Sequence, residues 1–204
     1  MPDAFSTRAA ELVEAGRLLF QRGMVPATSG NLSARLADGS LAITVSGRHK
    51  GRLSEADIMR VDADGRPLDG RRPSAETLLH CQIYRRLAAA GAVLHPHSVS
   101  ATVISRLASE AVVLAGYELL KAFPGVEPHV CSLTVPIFPN DQDIPRLAAA
   151  VEAWMDQHGS VAGYLIAGHG FYTWGRDVAE ALRHVEALDF LFECELRLRE
   201  LRQP

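Results

Sequence analysis

Two short apolar runs, NLSARL at 31–36 and LAITV at 41–45, stand on either side of Asp38-Gly39, and no other feature of the 204 residues restricts the fold as much. An Asp-Gly pair between strand-like runs signals a tight hairpin, because glycine accepts the positive φ that the turn demands. A hairpin makes an antiparallel pair, so the sheet it enters is expected to be mixed or mainly antiparallel.

The rest of the chain alternates helical and strand-like patterns. Residues 5–22 carry Leu12, Val13, Leu18 and Leu19 at helical spacing, with Gly23 at the C-terminal cap position. Pro73-Ser74-Ala75-Glu76 reads as a helix start with Ser74 as cap; Leu78, Leu79, Ile83 and Leu87 follow, and Gly91 closes it. Residues 92–95 and 133–138 read as strands, 99–108 as a helix. Residues 141–158 form a helix with Ile144, Leu147, Val151 and Trp154 on one stripe, ended by Gly159. Residues 161–170 read as a strand and turn, and 177–202 as a long final helix. Strands interleaved with helices predict an α/β fold with helices on both sides of the sheet. The length fits one domain over residues 1–204 with a single sizeable core.

Composition narrows the function classes. The formal net charge of −3 argues against bulk nucleic-acid binding, which needs a basic field, but leaves room for a small anion held by local groups. No window approaches the roughly 18 apolar residues of a membrane span, and the N-terminus lacks the pattern of a secretory signal. Cys81, Cys131 and Cys194 have no CxxC spacing and read as reduced thiols, so a cytoplasmic location is expected.

His95-Pro96-His97 is the sharpest local feature. Side chains two apart on an extended chain share a face, so two imidazoles there can hold one divalent ion. The pair follows the apolar run AVL, at the C-terminal end of a buried strand, where sites in open α/β sheets gather. His169 follows a second buried run and is flanked by Gly168 and Gly170. Three histidines with an open position make a catalytic zinc site. On spacing alone the trio competes with satisfied core histidines. His49, His80, His129, His158 and His184 read as structural or surface residues.

Three turns offer N–H and hydroxyl donors to a phosphate: Ser29-Gly30-Asn31, Ser46-Gly47 and the helix start at Ser74. The basic run Arg48, His49, Lys50 and Arg52 adds charge nearby, although such runs are usually solvated loops. Glu76 and Glu118 are the candidate acid/base groups. The alternatives are a first-turn carboxylate favouring the helix dipole for Glu76, and a solvated residue paired with Lys121 for Glu118.

Taken in order, GNLSAR, TVSG, PSAETLLH, VLHPHS and GHG resemble the class II aldolase superfamily, the aldolase/adducin-type fold, over about residues 8–200. The resemblance implies a three-layer α/β/α class II aldolase-like domain with a central mixed, mainly antiparallel sheet. It implies zinc, one ion per subunit, held by His95, His97 and His169; a catalytic role for Glu76; and phosphate binding by Gly30, Asn31, Ser46, Gly47 and Ser74. Within the superfamily, TVSGRHKG, YELLKAF, PIFPNDQDIPRLA and GHGFYTWGRD resemble the bacterial methylthioribulose-1-phosphate dehydratases. That branch implies Glu118 as acid/base and a hydro-lyase reaction of methionine salvage, in which a ketose 1-phosphate loses its C3 proton and C4 hydroxyl as water. It also implies a homotetramer with a small-molecule sugar phosphate as substrate, and neither nucleic acid nor membrane as partner. An aldolase or epimerase on another sugar phosphate is the enzymatic alternative, and an adducin-like interaction module the non-enzymatic one. Two departures stand out. The usual HTH is His-Pro-His, and the usual second Ser of the PSSE-type motif is Ala75, which removes one phosphate donor.

Overall fold

The computed structural model describes residues 4–125, 132–159 and 161–202; His129 and Cys131 lie outside them. In chain order the elements are α1 (Ala4–Gln21), β1 (Asn31–Arg35), β2 (Leu41–Thr44), β3 (Ile58–Val61), α2 (Thr77–Arg86), β4 (Ala92–His95), α3 (Val99–Leu107), β5 (Ala111–Ala115), β6 (Ser132–Phe138), α4 (Ile144–His158), β7 (Gly163–Ile166), β8 (Gly170–Gly175) and α5 (Val178–Leu201). Among the described residues the strands form one eight-stranded sheet in the order β3-β2-β1-β4-β8-β7-β6-β5. Only β6 and β7 run parallel; every other neighbouring pair is antiparallel.

The expected hairpin joins β1 to β2, with Ser33 opposite Ile43 and Gly39 at φ 82°. Successive strand residues face opposite sides of the sheet. Leu32, Ala34, Leu94, Leu165 and Phe171 meet α1, α3 and α5 on one side. Ile43, Met59, Val93, Tyr164 and Tyr172 meet α2 and α4 on the other. This gives the three-layer arrangement, with an apolar core in each interlayer. Leu147, Val151 and Met155 are the buried stripe of α4, each worth about 1.5–3 kcal/mol of transfer free energy. No described helix is long and apolar enough to cross a membrane.

Helix α2 departs from expectation at both ends. Its N-cap is Glu76, not Ser74, and the Ser74 hydroxyl instead accepts from the Glu76 N–H at 3.3 Å. The helix stops at Arg86, and around that end the Arg35 guanidinium donates to the carbonyls of Tyr84, Leu87 and Ala90. Gly91 does not close the helix. A Cβ there would lie 1.9 Å from the Arg176 carbonyl oxygen, so glycine is needed for the close approach of these two stretches of backbone.

The ladder registers fix which strand ends lie together. His95, Gly170, Ile166, Phe138 and Ala111 end or begin their strands at one end of the sheet. Ala92, Gly175, Gly163, Ser132 and Ala115 mark the other.

Candidate metal centre

His95, His97 and His169 meet at the first of these ends, and Glu76, at the start of α2, joins them. One ligand atom from each of the four lies within 4.8 Å of all the others. His95 is fully buried and stacked on Tyr172, ring centroids 4.0 Å apart. Its Nδ1–H donates to the Phe171 carbonyl at 2.8 Å, which leaves the Nε2 lone pair facing the cluster. The His97 Nε2 stands 2.9 Å from the His95 Nε2. The Glu76 carboxylate is 3.4 Å from the His95 Nε2 and 3.3 Å from the His169 Nε2. Two facing ring nitrogens need a shared proton or cation between them. The separations suit four N and O donors around one ion, for which bonds of 2.0–2.2 Å in tetrahedral array place neighbouring donors about 3.4 Å apart. Burial, then the neighbouring histidines, pushes His97 down to about 2 and His95 well below the ordinary imidazole value. Both rings are therefore neutral at neutral pH, the form that offers a lone pair to a metal.

Backbone contacts hold the histidines. The His97 N–H donates to the Met24 carbonyl at 2.7 Å, and the Phe171 N–H to the Pro96 carbonyl at 3.1 Å. Pro96 thus keeps its acceptor role while lacking the donor. Thr102 of α3 donates to the His169 carbonyl at 2.9 Å, and Ser105 accepts from the Gly168 N–H at 2.9 Å, so α3 pins the turn that carries His169. A Cβ on Gly170 would lie 2.3 Å from the Pro96 carbonyl oxygen and 3.1–3.2 Å from the rings of His97 and His95. Glycine there lets the two histidine-bearing segments touch.

A cavity of about 380 Å³ opens over this cluster, and Gly30, Asn31, Ser46, Gly47 and Ser74 line it together with Glu76, His97 and His169. The three predicted turns and the metal candidates therefore share one space. Gly30 and Gly47 take φ of 76° and 72°, which turns their peptides without strain. Ala75 also lines the cavity and offers no hydroxyl. Asn31 is partly committed elsewhere: its Nδ2 donates to Glu76 at 2.6 Å, and its Oδ1 meets His80.

Sequence reasoning underrated two residues. Lys50, in the run that reads as a solvated loop, is buried and donates to the carbonyls of Thr28 and Arg48, each at 2.7 Å. Among the described residues it is the only Lys or Arg lining the cavity. His80 is fully buried and bonded to Ser33 and Asn31. A usable signal for it was the i, i+4 spacing from Glu76 on α2. His49, His158 and His184 hold the structural or surface positions expected.

Glu118 is not brought into this cavity. It follows β5, whose Ala111 pairs with Pro136 at the cluster's end while Ala115 pairs with Ser132 at the far end. Its side chain is 65% exposed and lies 2.7 Å from Lys121, the solvated pairing weighed from the sequence. A larger cavity of about 630 Å³, lined by Phe123, Trp154 and Trp174, also sits at that far end and holds none of the metal candidates.

The family model for the class II aldolase and adducin N-terminal domain matches residues 10–196. A methylthioribulose-1-phosphate dehydratase of Methylococcus capsulatus is 64% identical over 199 residues, 98% of each chain. One from Azotobacter vinelandii is 56% identical over 94% of each. Among solved structures, YgbL of Escherichia coli, a putative aldolase/epimerase/decarboxylase, superposes with a TM-score of 0.82 at 27% identity, covering 96% of this chain and 91% of that one. An L-fuculose 1-phosphate aldolase gives 0.82 at 22% identity over 100% and 91%, a likeness of fold alone. With a family model matching nearly its whole length, and relatives above half identity over almost all of theirs, this chain belongs to the class II aldolase and adducin N-terminal domain family.

Proposed function

We propose that the chain dehydrates 5-methylthioribulose 1-phosphate to 5-methylthio-2,3-dioxopentyl phosphate and water, a step of methionine salvage. The observation that carries this reading is the convergence of three histidines and Glu76 beneath a cavity edged by donor-rich turns, in a chain 64% identical to a dehydratase of that name. Zinc is the ion proposed for His95, His97 and His169; when bound it supplies Lewis acidity that lowers the cost of negative charge on the substrate's oxygens.

The chain's own groups do the rest. The turns at Gly30-Asn31, Ser46-Gly47 and Ser74 are proposed to hold the phosphate, and the Lys50 ammonium offsets its charge from beneath. Ile144, Leu147 and Ile166 form an apolar wall of the same cavity, in keeping with a substrate that has an apolar end. Fixing both ends orients the carbon chain for reaction. Removal of the C3 proton and protonation of the C4 hydroxyl release water and leave an enol that becomes the second ketone. Glu118 is proposed as the group that moves these protons. It follows the far end of β5, a strand about 17 Å long at 3.4 Å per residue, so it serves this chemistry from a neighbouring copy of the chain. That requirement supports a closed homo-oligomer, proposed to be a tetramer. Val99, Val103 and Leu107 form an exposed apolar stripe on α3, directly after the histidine pair, and support an interface beside the site.

The test is product analysis with methylthioribulose 1-phosphate and zinc-loaded protein. The diketone phosphate is expected. Release of dihydroxyacetone phosphate and an aldehyde would make the chain an aldolase instead.

A further inference from the structure

Between α2 and β1 runs a buried row of polar side chains, of which the chemistry above uses only Glu76 and Asn31. Glu76, the N-cap of α2, and His80 and Tyr84 within the helix stand at i, i+4 and i+8 and so share one face. Asn31 and Ser33 stand at i and i+2 on β1 and share the facing side. Four helical residues rise about 6 Å and two strand residues about 6.6 Å, so the rungs of the two rows match. Ser33 and His80 are fully buried, and Asn31 and Tyr84 nearly so.

The hydrogen bonds in this row have one self-consistent direction. The Glu76 carboxylate only accepts, so Asn31 must turn its Nδ2 toward it, at 2.6 Å. The Asn31 Oδ1 then faces the His80 Nε2, which must carry the proton and donate. The His80 Nδ1 is left as an acceptor and takes the Ser33 hydroxyl proton at 2.7 Å. The Ser33 oxygen in turn accepts from the Tyr84 hydroxyl at 2.9 Å. Burial holds His80 down at about 4, so its ring is neutral, as this pattern requires. Four donors in series thus end on one carboxylate oxygen, each bond polarising the next.

We infer that His80 is a positioning residue: through Asn31 it fixes the rotamer and acceptor state of Glu76, and thereby the donor set in which Glu76 stands with His95, His97 and His169. This rests on the reading of that cluster as a metal centre. Without the His80 donor, the Asn31 carboxamide gains a near-isosteric flipped alternative that presents oxygen to oxygen at Glu76. Partners of this kind behind a metal ligand are typically worth about 10–100-fold in metal affinity or activity.

The experiment measures zinc affinity by competition with a chromophoric chelator, alongside kcat and KM, for wild type, His80→Phe, His80→Gln, Ser33→Ala and Glu76→Ala. His80→Phe keeps the ring but cannot donate, and is expected to lose about 10–100-fold in zinc affinity and kcat with KM little changed. His80→Gln can return a donor to the Asn31 oxygen and is expected to recover most of that loss. Should His80→Phe not fold, Ser33→Ala decides, with an expected loss of zinc affinity of severalfold. Nitrogen NMR of labelled histidine should find His80 protonated at Nε2. Wild-type zinc affinity and kcat in folded His80→Phe, or in Ser33→Ala if the former does not fold, would overturn the inference, as would an Nδ1–H tautomer. If Glu76→Ala also binds zinc and turns over normally, Glu76 has no place in the centre and the reading this inference rests on fails; if it is impaired while the His80 and Ser33 variants are not, only this inference does.

Discussion

Glu118 and the histidine cluster lie at opposite ends of one sheet, and this separation makes a quantitative prediction about mixed oligomers. The five residues of β5 span about 17 Å, and Glu118 lies three residues beyond their far end. No side chain bridges that distance, so the roles proposed for His97 and Glu118 require them to come from different copies of the chain. Glu118→Gln keeps the side chain's size but cannot shuttle a proton, and should lower turnover by about 10²–10⁴ while leaving metal binding intact. His97→Ala should lose metal and activity. Refolded or co-expressed together at equal amounts in a randomly assembled ring, the two variants give a centre with intact His97 facing an intact Glu118 in about a quarter of cases. Recovery to about 25% of wild-type activity, from two preparations that are each nearly inactive, is the expected result. The assay is diketone formation by hybrids whose mixed composition is verified by native mass spectrometry. If verified hybrids show only the residual activity of their parents, the assignment of Glu118 to a neighbouring centre is wrong. Near-normal turnover by Glu118→Gln alone would move the proton chemistry to Glu76.

Other outcomes follow from the same geometry. Gly170→Ala forces the Pro96 carbonyl and the new Cβ apart by about 0.7 Å, at a cost of about 1–3 kcal/mol; weaker metal binding and a lower Tm are expected, and a variant with wild-type values would refute the close-packing argument. Lys50→Gln should raise KM about 10–100-fold with a smaller change in kcat, since a buried charged hydrogen bond is worth about 1.5–3 kcal/mol. Burial brings the Lys50 ammonium down to about 8, so wild-type KM should climb as pH rises through that value and the variant's should not; the reverse pattern would remove Lys50 from phosphate binding. In the metal-free protein, burial depresses His80 to about 4 and His95 well below its ordinary value. The unfolded chain takes up protons below about pH 6.5 while the folded one does not, so stability is fully present above that pH and falls as the medium is acidified. For these two groups the slope approaches about 3 kcal/mol per pH unit, and a flat denaturation profile between pH 6.5 and 4.5 would contradict it.

The sequence by itself determined the local elements and much of the site. The Asp38-Gly39 hairpin, the stripe of α4 and the apolar run before His95 are periodic signals, readable because each is decided by neighbours a few residues away. The histidine trio needed more than local pattern: its members sit where buried strands stop and the chain turns, but on spacing alone they compete with core histidines, and the resemblance to the class II aldolases singled them out. What needed tertiary structure was everything decided by partners distant in the chain. Ser74 looked like a cap until Glu76 took that position. Gly91 looked like a helix stop until the backbone at Arg176 approached it. Lys50 looked solvated until the turns at Thr28 and Arg48 closed over it, and the partner that buried His80 meets was set by β1, which brings Asn31 against it, 49 residues away. The sheet's order, with β5 reversing beside β6, decided that Glu118 points away from the centre of its own chain. Local pattern specifies which face of an element is apolar, but not which distant polar group that face will meet, because that depends on strand order and register summed over the whole fold.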